Sequence, residues 1–274
     1  MTKNQTPKIL TIAGSDSLAG GGLQADLATF NEYGLFGLTA ITSIATITTT
    51  DFKVFPVDTD VLATQLDSIR LVDQLAAVKV GLLVNLDQVK LVSDFLKQLD
   101  LPIVIDPVLA VKEGDYQQQE AFIDFYRINL LPLADIITPN LSEAQLLTDV
   151  KNINSREDLI AVNQQLQALG IANVFTKGGQ RLAGEMALDL WSSPQGNHFF
   201  EKPKLDLLTD INGSGCTLSA AVAAGLAQGL SMEEALRSAK DFVWAAINHS
   251  VNLGDQLDGN SVWPAGQRLV NKTQ

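Results

Sequence analysis

Short apolar runs recur along the chain at 9–13, 38–45, 76–80, 103–105, 136–137 and 174–175, each rich in Ile and Val and nearly continuous. Strands covered by helices on both faces read this way, because neither face meets water. Helical patterns lie between them, at 58–71, 85–99, 117–131, 155–169 and 214–230. Such alternation requires right-handed crossovers and predicts an α/β fold: a doubly wound, mostly parallel sheet flanked by helices. Ser155 with Asp158, and Ser231 with Glu234, mark helix starts with an acid in the first turn. One segment breaks the pattern. Runs 186–191 and 198–201 flank Ser193-Pro194-Gln195-Gly196, which predicts an antiparallel hairpin at the sheet edge.

No composition shift, Pro-rich linker, charge block or internal repeat divides the 274 residues, so 1–274 reads as one domain. Residues 1–7 and roughly the last ten are polar enough to fray. A net charge of −12 argues against nucleic-acid backbone binding. It leaves room for an anionic small substrate, since phosphate sites are built locally from backbone N–H groups and one or two lysines. A single cysteine excludes an intrachain disulfide and a cysteine-built zinc cluster, and His198 and His249 are too few for a histidine site. Residues 1–8 show no leader pattern and no apolar stretch reaches membrane-spanning length, so a cytoplasmic protein is expected.

In open α/β sheets ligands bind beyond the carboxyl ends of the strands. Four loops there stand out. Residues 13–26 hold Gly14, Asp16 and Gly20-Gly21-Gly22 ahead of Asp26, and satisfy a G-x-G-x-x-A dinucleotide pattern at 20–25. They read as a dinucleotide turn, as a small-molecule site with glycine N–H groups and Asp26 facing a polar ring, or as a plain strand–helix loop. Asp106, directly after a strand and before Pro107, projects a carboxylate into the crevice. Asn140 and Glu143, three apart at a helix start, suit the water shell of Mg2+, and equally suit a helix cap. Lys177-Gly178-Gly179 and Gly213-Ser214-Gly215-Cys216 complete the set. Gly213 and Gly215 let backbone N–H groups converge at a helix start, as an anion requires. Cys216 in that first turn is expected to have a lowered thiol pKa, or else to be a small core residue.

In this order, 9–16, 22–26, 105–108, 137–140, 177–179 and 213–217 resemble the phosphomethylpyrimidine kinase and pyridoxal kinase group of the ribokinase-like superfamily, over roughly residues 8–250. The resemblance implies ATP-dependent phosphorylation of a hydroxymethyl group on a methylated nitrogen-containing ring. It implies ATP as co-substrate, Mg2+ as cofactor, a monovalent cation as a further candidate, and a homodimer. On the same ground Gly14, Asp16, Gly22 and Asp26 match the ring-binding loop. Lys177, Gly179, Asn140 and Lys112 match the nucleotide side, with Asp106 and Glu143 on the metal side. Gly213, Ser214 and Gly215 match the anion hole. Most ribokinase-like enzymes carry Asp as catalytic base where this chain has Cys216, which is thereby implied as proton acceptor.

Pyrimidine kinases typically place a ring-binding Gln where Ile47 stands. The cysteine-bearing pyridoxal kinases of Gram-positive bacteria have an apolar residue there and a segment like 54–60, so the expected substrate is pyridoxal, pyridoxine or pyridoxamine, with hydroxymethylpyrimidine or its phosphate as the alternative. Two departures stand out: Asn212 replaces the usual His before Gly213, and Val111 stands where some relatives have a second cysteine. They motivate a different reading, a vitamin-binding protein without catalysis. A nicotinamide-dependent oxidoreductase rests on 20–25 alone.

Overall fold

The computed structural model describes residues 6–109, 116–207, 209–257 and 259–270. In chain order the elements are β1 (Lys8–Asp16), α1 (Gly22–Glu32), β2 (Phe36–Ile47), β3 (Phe52–Pro56), α2 (Thr59–Arg70), β4 (Leu75–Val80), α3 (Leu86–Leu96) and β5 (Ile103–Ile105). They continue with α4 (Tyr116–Phe125), β6 (Ile136–Ile137), α5 (Leu141–Leu147), α6 (Arg156–Gln167), β7 (Val174–Gly179), β8 (Met186–Ser193) and β9 (Gly196–Pro203). The C-terminal part holds β10 (Ile211–Asn212), α7 (Ser214–Ala227), α8 (Met232–Asn248), β11 (Val251–Asn252), β12 (Asn260–Ser261) and the one-turn α9 (Gln267–Val270).

Strands β1 to β9 form one sheet in the order β3-β2-β1-β4-β5-β6-β7-β8-β9. From β2 through β7 every pairing is parallel. Adjacent strand residues explain the unbroken apolar runs. Leu10, Val78, Ile103, Ile137 and Val174 pack into the core under α2, α3, α5 and α6, whereas Ile9, Ala77, Val104, Ile136 and Phe175 pack into a second core under α1, α7 and α8. Since successive side chains leave a strand on opposite faces, both must be apolar when both are covered.

The predicted hairpin is β8–β9, antiparallel throughout and antiparallel to β7. The opposite edge was not expected: β3 pairs antiparallel with β2. Its strand is interrupted by Lys53 and closed by Pro56, a composition that only an edge tolerates. The helix expected over 117–131 is regular only through α4. It opens into a wider turn at Tyr126–Leu130 and a tight one at Leu131–Leu133, where Pro132 has no N–H to give the preceding turn. Residues 264–270 do not fray as expected. Arg268 donates from Nε and Nη2 to the two Glu32 carboxylate oxygens, both at 2.7 Å, docking the short C-terminal turns on α1. Also unexpected, β10, β12 and β11 make a small second sheet that ties 251–261 to the chain just before Gly213.

Helix starts fall into two kinds. Asp58, Asn85, Asn140, Ser155 and Ser231 cap α2, α3, α5, α6 and α8 with their side chains. By contrast α1 and α7 begin at Gly21 and Gly213 with no side-chain cap. At both starts the N-cap side chain is missing and the first-turn N–H groups face the space beside the carboxyl end of β1, where the Gly22 N–H meets Cys216.

Candidate active site

The two glycine loops touch. Gly213 sits at φ +81°, and a Cβ on it would lie 1.6 Å from the Gly20 carbonyl oxygen. Gly22, at φ +58°, would drive a Cβ to 2.3 Å from the Gly14 carbonyl. Only glycine allows this approach, and it places the tips of α1 and α7 together. Asp16 closes the first loop on itself, accepting from the backbone N–H groups of Leu18 and Gly21, each at 2.9 Å. Both carboxylate oxygens are thus used by the loop, where a ring contact was expected. The length from the end of β1 at Asp16 to Gly22, and its packing on Gly213, leave no tight dinucleotide turn at 20–25.

Asp26, expected at the ring, has its carboxylate engaged within the protein. It is fully buried, accepting from Lys79 Nζ at 2.8 and 3.0 Å and from Thr11 Oγ1 at 2.6 Å. Burial would strip the charge from Lys79, but the Asp26 carboxylate, with Cys216 and Asp106 beyond, holds its ammonium above the ordinary lysine value. Lys79 escaped the reading of the sequence, although a lysine inside the apolar run 76–80 is a signal: a charge buried on a parallel strand needs a partner.

A second buried pair lies across the α7 tip. Asp106 follows β5 and accepts from Lys177 Nζ at 2.7 Å, from Thr138 Oγ1 at 3.1 Å and from Ser219 Oγ at 3.2 Å. Burial opposes its charge, yet Lys177 and Lys79 keep its pKa below the usual carboxylate value. Lys177 reaches the helix tip: a Cβ on Gly215 would sit 3.1 Å from its ammonium. Asn140 and Glu143 form the reciprocal helix cap, each accepting from the other's backbone N–H, at 2.9 and 2.7 Å. Glu143 is nonetheless buried, and burial, reinforced by Asp106, pushes its carboxyl up to about 7 against the pull of Lys177.

Cys216 lies in the first turn of α7, opposite the glycine loop, with its Sγ 3.8 Å from where a Gly21 Cβ would be. Its thiol is not acidified, contrary to expectation. Burial pushes it up to about 11, Asp106 and Asp26 add to that, and Lys79 and the Gly22 N–H pull the other way. At neutral pH the resting group is a thiol.

Beside the tip opens a cleft of about 880 Å3, lined by Asn140, Lys177, Ser214, Gly215, Lys240 and Trp244 among others. Gly14, Gly22, Asp26 and Ile47 do not line it. Gly179, at φ +53°, forms part of its wall, and Ile47, 38 % exposed, ends β2 at the other side of the β1 loop. Val111 and Lys112 lie outside the described residues. Among the described residues no three His, Cys, Asp or Glu side chains cluster as a metal cage, and no helix is long and apolar enough to cross a membrane. Mg2+ fits the donors present in one respect: Asp106 and Glu143 are hard carboxylates buried near the α7 tip, the kind of donor that such an ion takes with waters and substrate oxygens.

A family model described as phosphomethylpyrimidine kinase matches residues 16–260. The chain is 38 % identical to the hydroxymethylpyrimidine/phosphomethylpyrimidine kinase of Haemophilus influenzae, over 93 % of this chain and 96 % of that one. It is equally identical to the pyridoxine kinase of Bacillus subtilis, over 91 % and 93 %. Among solved structures, an ADP complex of Bacillus subtilis pyridoxal kinase superposes with a TM-score of 0.91, covering 97 % of this chain and all of that one, at 36 % identity. The pyridoxal kinase of Staphylococcus aureus with AMP-PCP gives 0.88 over 96 % and 95 % at 33 %, and the phosphomethylpyrimidine kinase of Clostridium difficile 0.74 over 88 % and 100 % at 32 %.

The charges of the pair under Cys216 predict opposite effects on its thiol, which as the single cysteine of the chain is the only alkylation site. Iodoacetamide should react roughly 3–10-fold more slowly with Lys79→Met and faster by a similar factor with Asp26→Asn. Changes in the same direction would show that the pair acts on packing alone. Glu143 binds a proton on folding, so its contribution is fully present below about 4.5 and fades as pH rises through about 7. Relative to Glu143→Gln, which keeps the cap, wild type should lose on the order of 1–3 kcal/mol between pH 5 and 8 in urea titrations. Parallel pH profiles for the two proteins would refute this.

Proposed function

Because the chain belongs to the phosphomethylpyrimidine kinase family, we propose that it transfers the terminal phosphoryl group of ATP to the 5′-hydroxymethyl group of a B6 vitamer: pyridoxal, pyridoxine or pyridoxamine. That it is a kinase of this family is common to its relatives on both sides. The observation that carries the choice of ring is the overlap with pyridoxal kinase over the whole chain, 0.91 against 0.74 for the pyrimidine enzyme of Clostridium difficile. Ile47 supports it, since an apolar residue at the end of β2 leaves the donors of an aminopyrimidine unpaired.

The nucleotide occupies the cleft beside α7, with its phosphates toward Gly213–Cys216, where uncapped N–H groups and the positive helix end favour anions. Lys177 stays charged beside Asp106 and meets the transferring phosphoryl group. Asp106 and Glu143 are the residues that would hold Mg2+, which when bound would supply neutralisation of charge on the phosphate oxygens. The ring lies on the other side of the glycine loop, near Gly14, Gly22 and Ile47, so that its alcohol faces the cleft across Cys216. In a loose transition state the alcohol proton leaves late, and Cys216 accepts it as the thiolate that Lys79 favours, the thiol's own proton having first passed to solvent. The neutral resting thiol positions the alcohol.

Direct detection of pyridoxal 5′-phosphate from pyridoxal and Mg-ATP tests the reading. Cys216→Ala should lower turnover by about 10²–10⁴-fold with pyridoxal binding retained. Faster turnover of hydroxymethylpyrimidine than of every B6 vitamer would transfer the enzyme to thiamine synthesis. Binding of the vitamer by wild type with no phosphate formed would make it a binding protein.

A homodimer belongs to the same proposal. The β2–β3 edge leaves Ile44, Phe52 and Phe55 about half exposed, a concentration of apolar surface that a second copy would cover. Light scattering should return twice the chain mass of 29.5 kDa, and Phe55→Asp should halve it; a monomeric wild type would remove the dimer from the proposal.

A further inference from the structure

A third buried Lys–Asp pair lies in the cleft wall, away from the phosphate end. Lys240 on α8 donates to Asp189 Oδ2 on β8 at 2.5 Å, and both side chains are nearly inaccessible. The other carboxylate oxygen, Oδ1, accepts the backbone N–H of Gly179 at 3.0 Å. That N–H belongs to a bulge. The β7–β8 register runs Lys177 to Asp189 and then Gly179 to Leu188, leaving Gly178 as the extra residue. The bulge is tight: a Cβ on Gly178 would lie 2.4 Å from the Leu188 carbonyl oxygen, and Gly179 takes φ +53°.

A bulge beside a site re-aims a neighbouring side chain. The side chain here is Lys177, whose ammonium is 2.7 Å from Asp106 Oδ1 and lies against Gly215 at the start of α7. We propose that Asp189 and Lys240 are positioning residues for phosphoryl transfer, which lock the bulge through the Gly179 N–H and thereby hold the Lys177 ammonium at the α7 tip. The division of labour is physical. A carboxylate is the strong, two-oxygen acceptor that can take one backbone N–H and still face a cation, and left alone in this wall it would be a costly buried charge. Lys240 neutralises it from the far side. Stability alone does not call for the arrangement, because an apolar pair of similar volume serves a core equally well.

The inference rests on the kinase reading for its consequence, not for its geometry, and two double variants separate the cases. Asp189→Asn with Lys240→Met removes both charges and keeps an oxygen for Gly179. Asp189→Leu with Lys240→Met removes the oxygen too. Both should melt within a few degrees of wild type. In the Leu/Met protein the Gly179 amide should lose its hydrogen-exchange protection and kcat with Mg-ATP should fall at least ~10-fold, with KM for the vitamer moved less than ~3-fold. The Asn/Met protein should keep protection and stay within about 3-fold of wild-type kcat. Unchanged exchange and kcat in Leu/Met, or a loss of kcat in Asn/Met like that in Leu/Met, would overturn the assignment. Should Leu/Met fail to fold, Asp189→Ala with Lys240→Met removes the same oxygen with less bulk, and the same losses of protection and kcat are expected of it. A wild type that never consumes ATP would sink the kinase reading, and exchange at Gly179 would still decide this one.

Discussion

The contact between the Gly20 carbonyl and the backbone of Gly213 is the constraint on which the rest depends. Nearly two hundred residues separate the two loops, and no residue with a Cβ could stand at 213 without pushing them apart. Their meeting requires α1 and α7 to lie side by side with their starts level. A chain of small residues along α7, buried from Thr217 to Gly225, makes that possible. On its other side, Gly225 lets α8 approach until a Cβ there would touch Ala235 at 3.0 Å. Close packing of small residues thus sets the helix axes, and the axes set where the N–H groups of both helices point.

Charge is distributed to match. The chain carries −12 overall, yet three lysines, Lys79, Lys177 and Lys240, are buried near the carboxyl ends of the strands, each against one aspartate. Such pairs add little stability over apolar packing. What they do is fix ammonium groups at defined points where water screens them little, and on the proposed reading Lys177, the most exposed of the three, is the one that would meet phosphate. Their partners differ in consequence. Asp26 satisfies Lys79 from both oxygens, whereas Asp106 divides its oxygens among Lys177, Thr138 and Ser219 and leaves Lys177 at the edge of the cleft.

Much of this was legible in the sequence, and the parts that were not share a cause. The apolar runs located the six parallel strands because two-sided burial leaves a pattern that local composition carries. The glycine and asparagine loops could be placed at strand ends for the same reason. Asn140 and Glu143 were readable both as a helix cap and as polar site residues, and the cap is present while Glu143 remains a buried, raised carboxyl: the two readings did not compete. The surroundings of Asp26 and the raised thiol of Cys216 were not legible, because both turn on partners far along the chain. Nothing near Asp26 announces Lys79, and nothing near Cys216 announces that burial outweighs the helix end in setting its thiol. The bulge at Gly178 is of the same kind, since a register is a property of two strands.

The equal identity to pyridoxine kinase and to pyrimidine kinase has a structural explanation. On the proposed reading, the groups that would meet phosphate, namely the α7 tip and Lys177 with Asp106 beside the Asn140–Glu143 cap, cluster at the parallel part of the sheet and would serve either alcohol. On the same reading, discrimination between rings is left to the far side of the glycine loop, where Ile47 ends β2. Overall identity averages over the large common part and is blind to the small decisive one. A single apolar side chain at Ile47 then matters out of proportion to its size. Burying an unpaired ring donor costs more than an added methylene contact returns, so exclusion of the wrong ring does more for selectivity there than attraction of the right one.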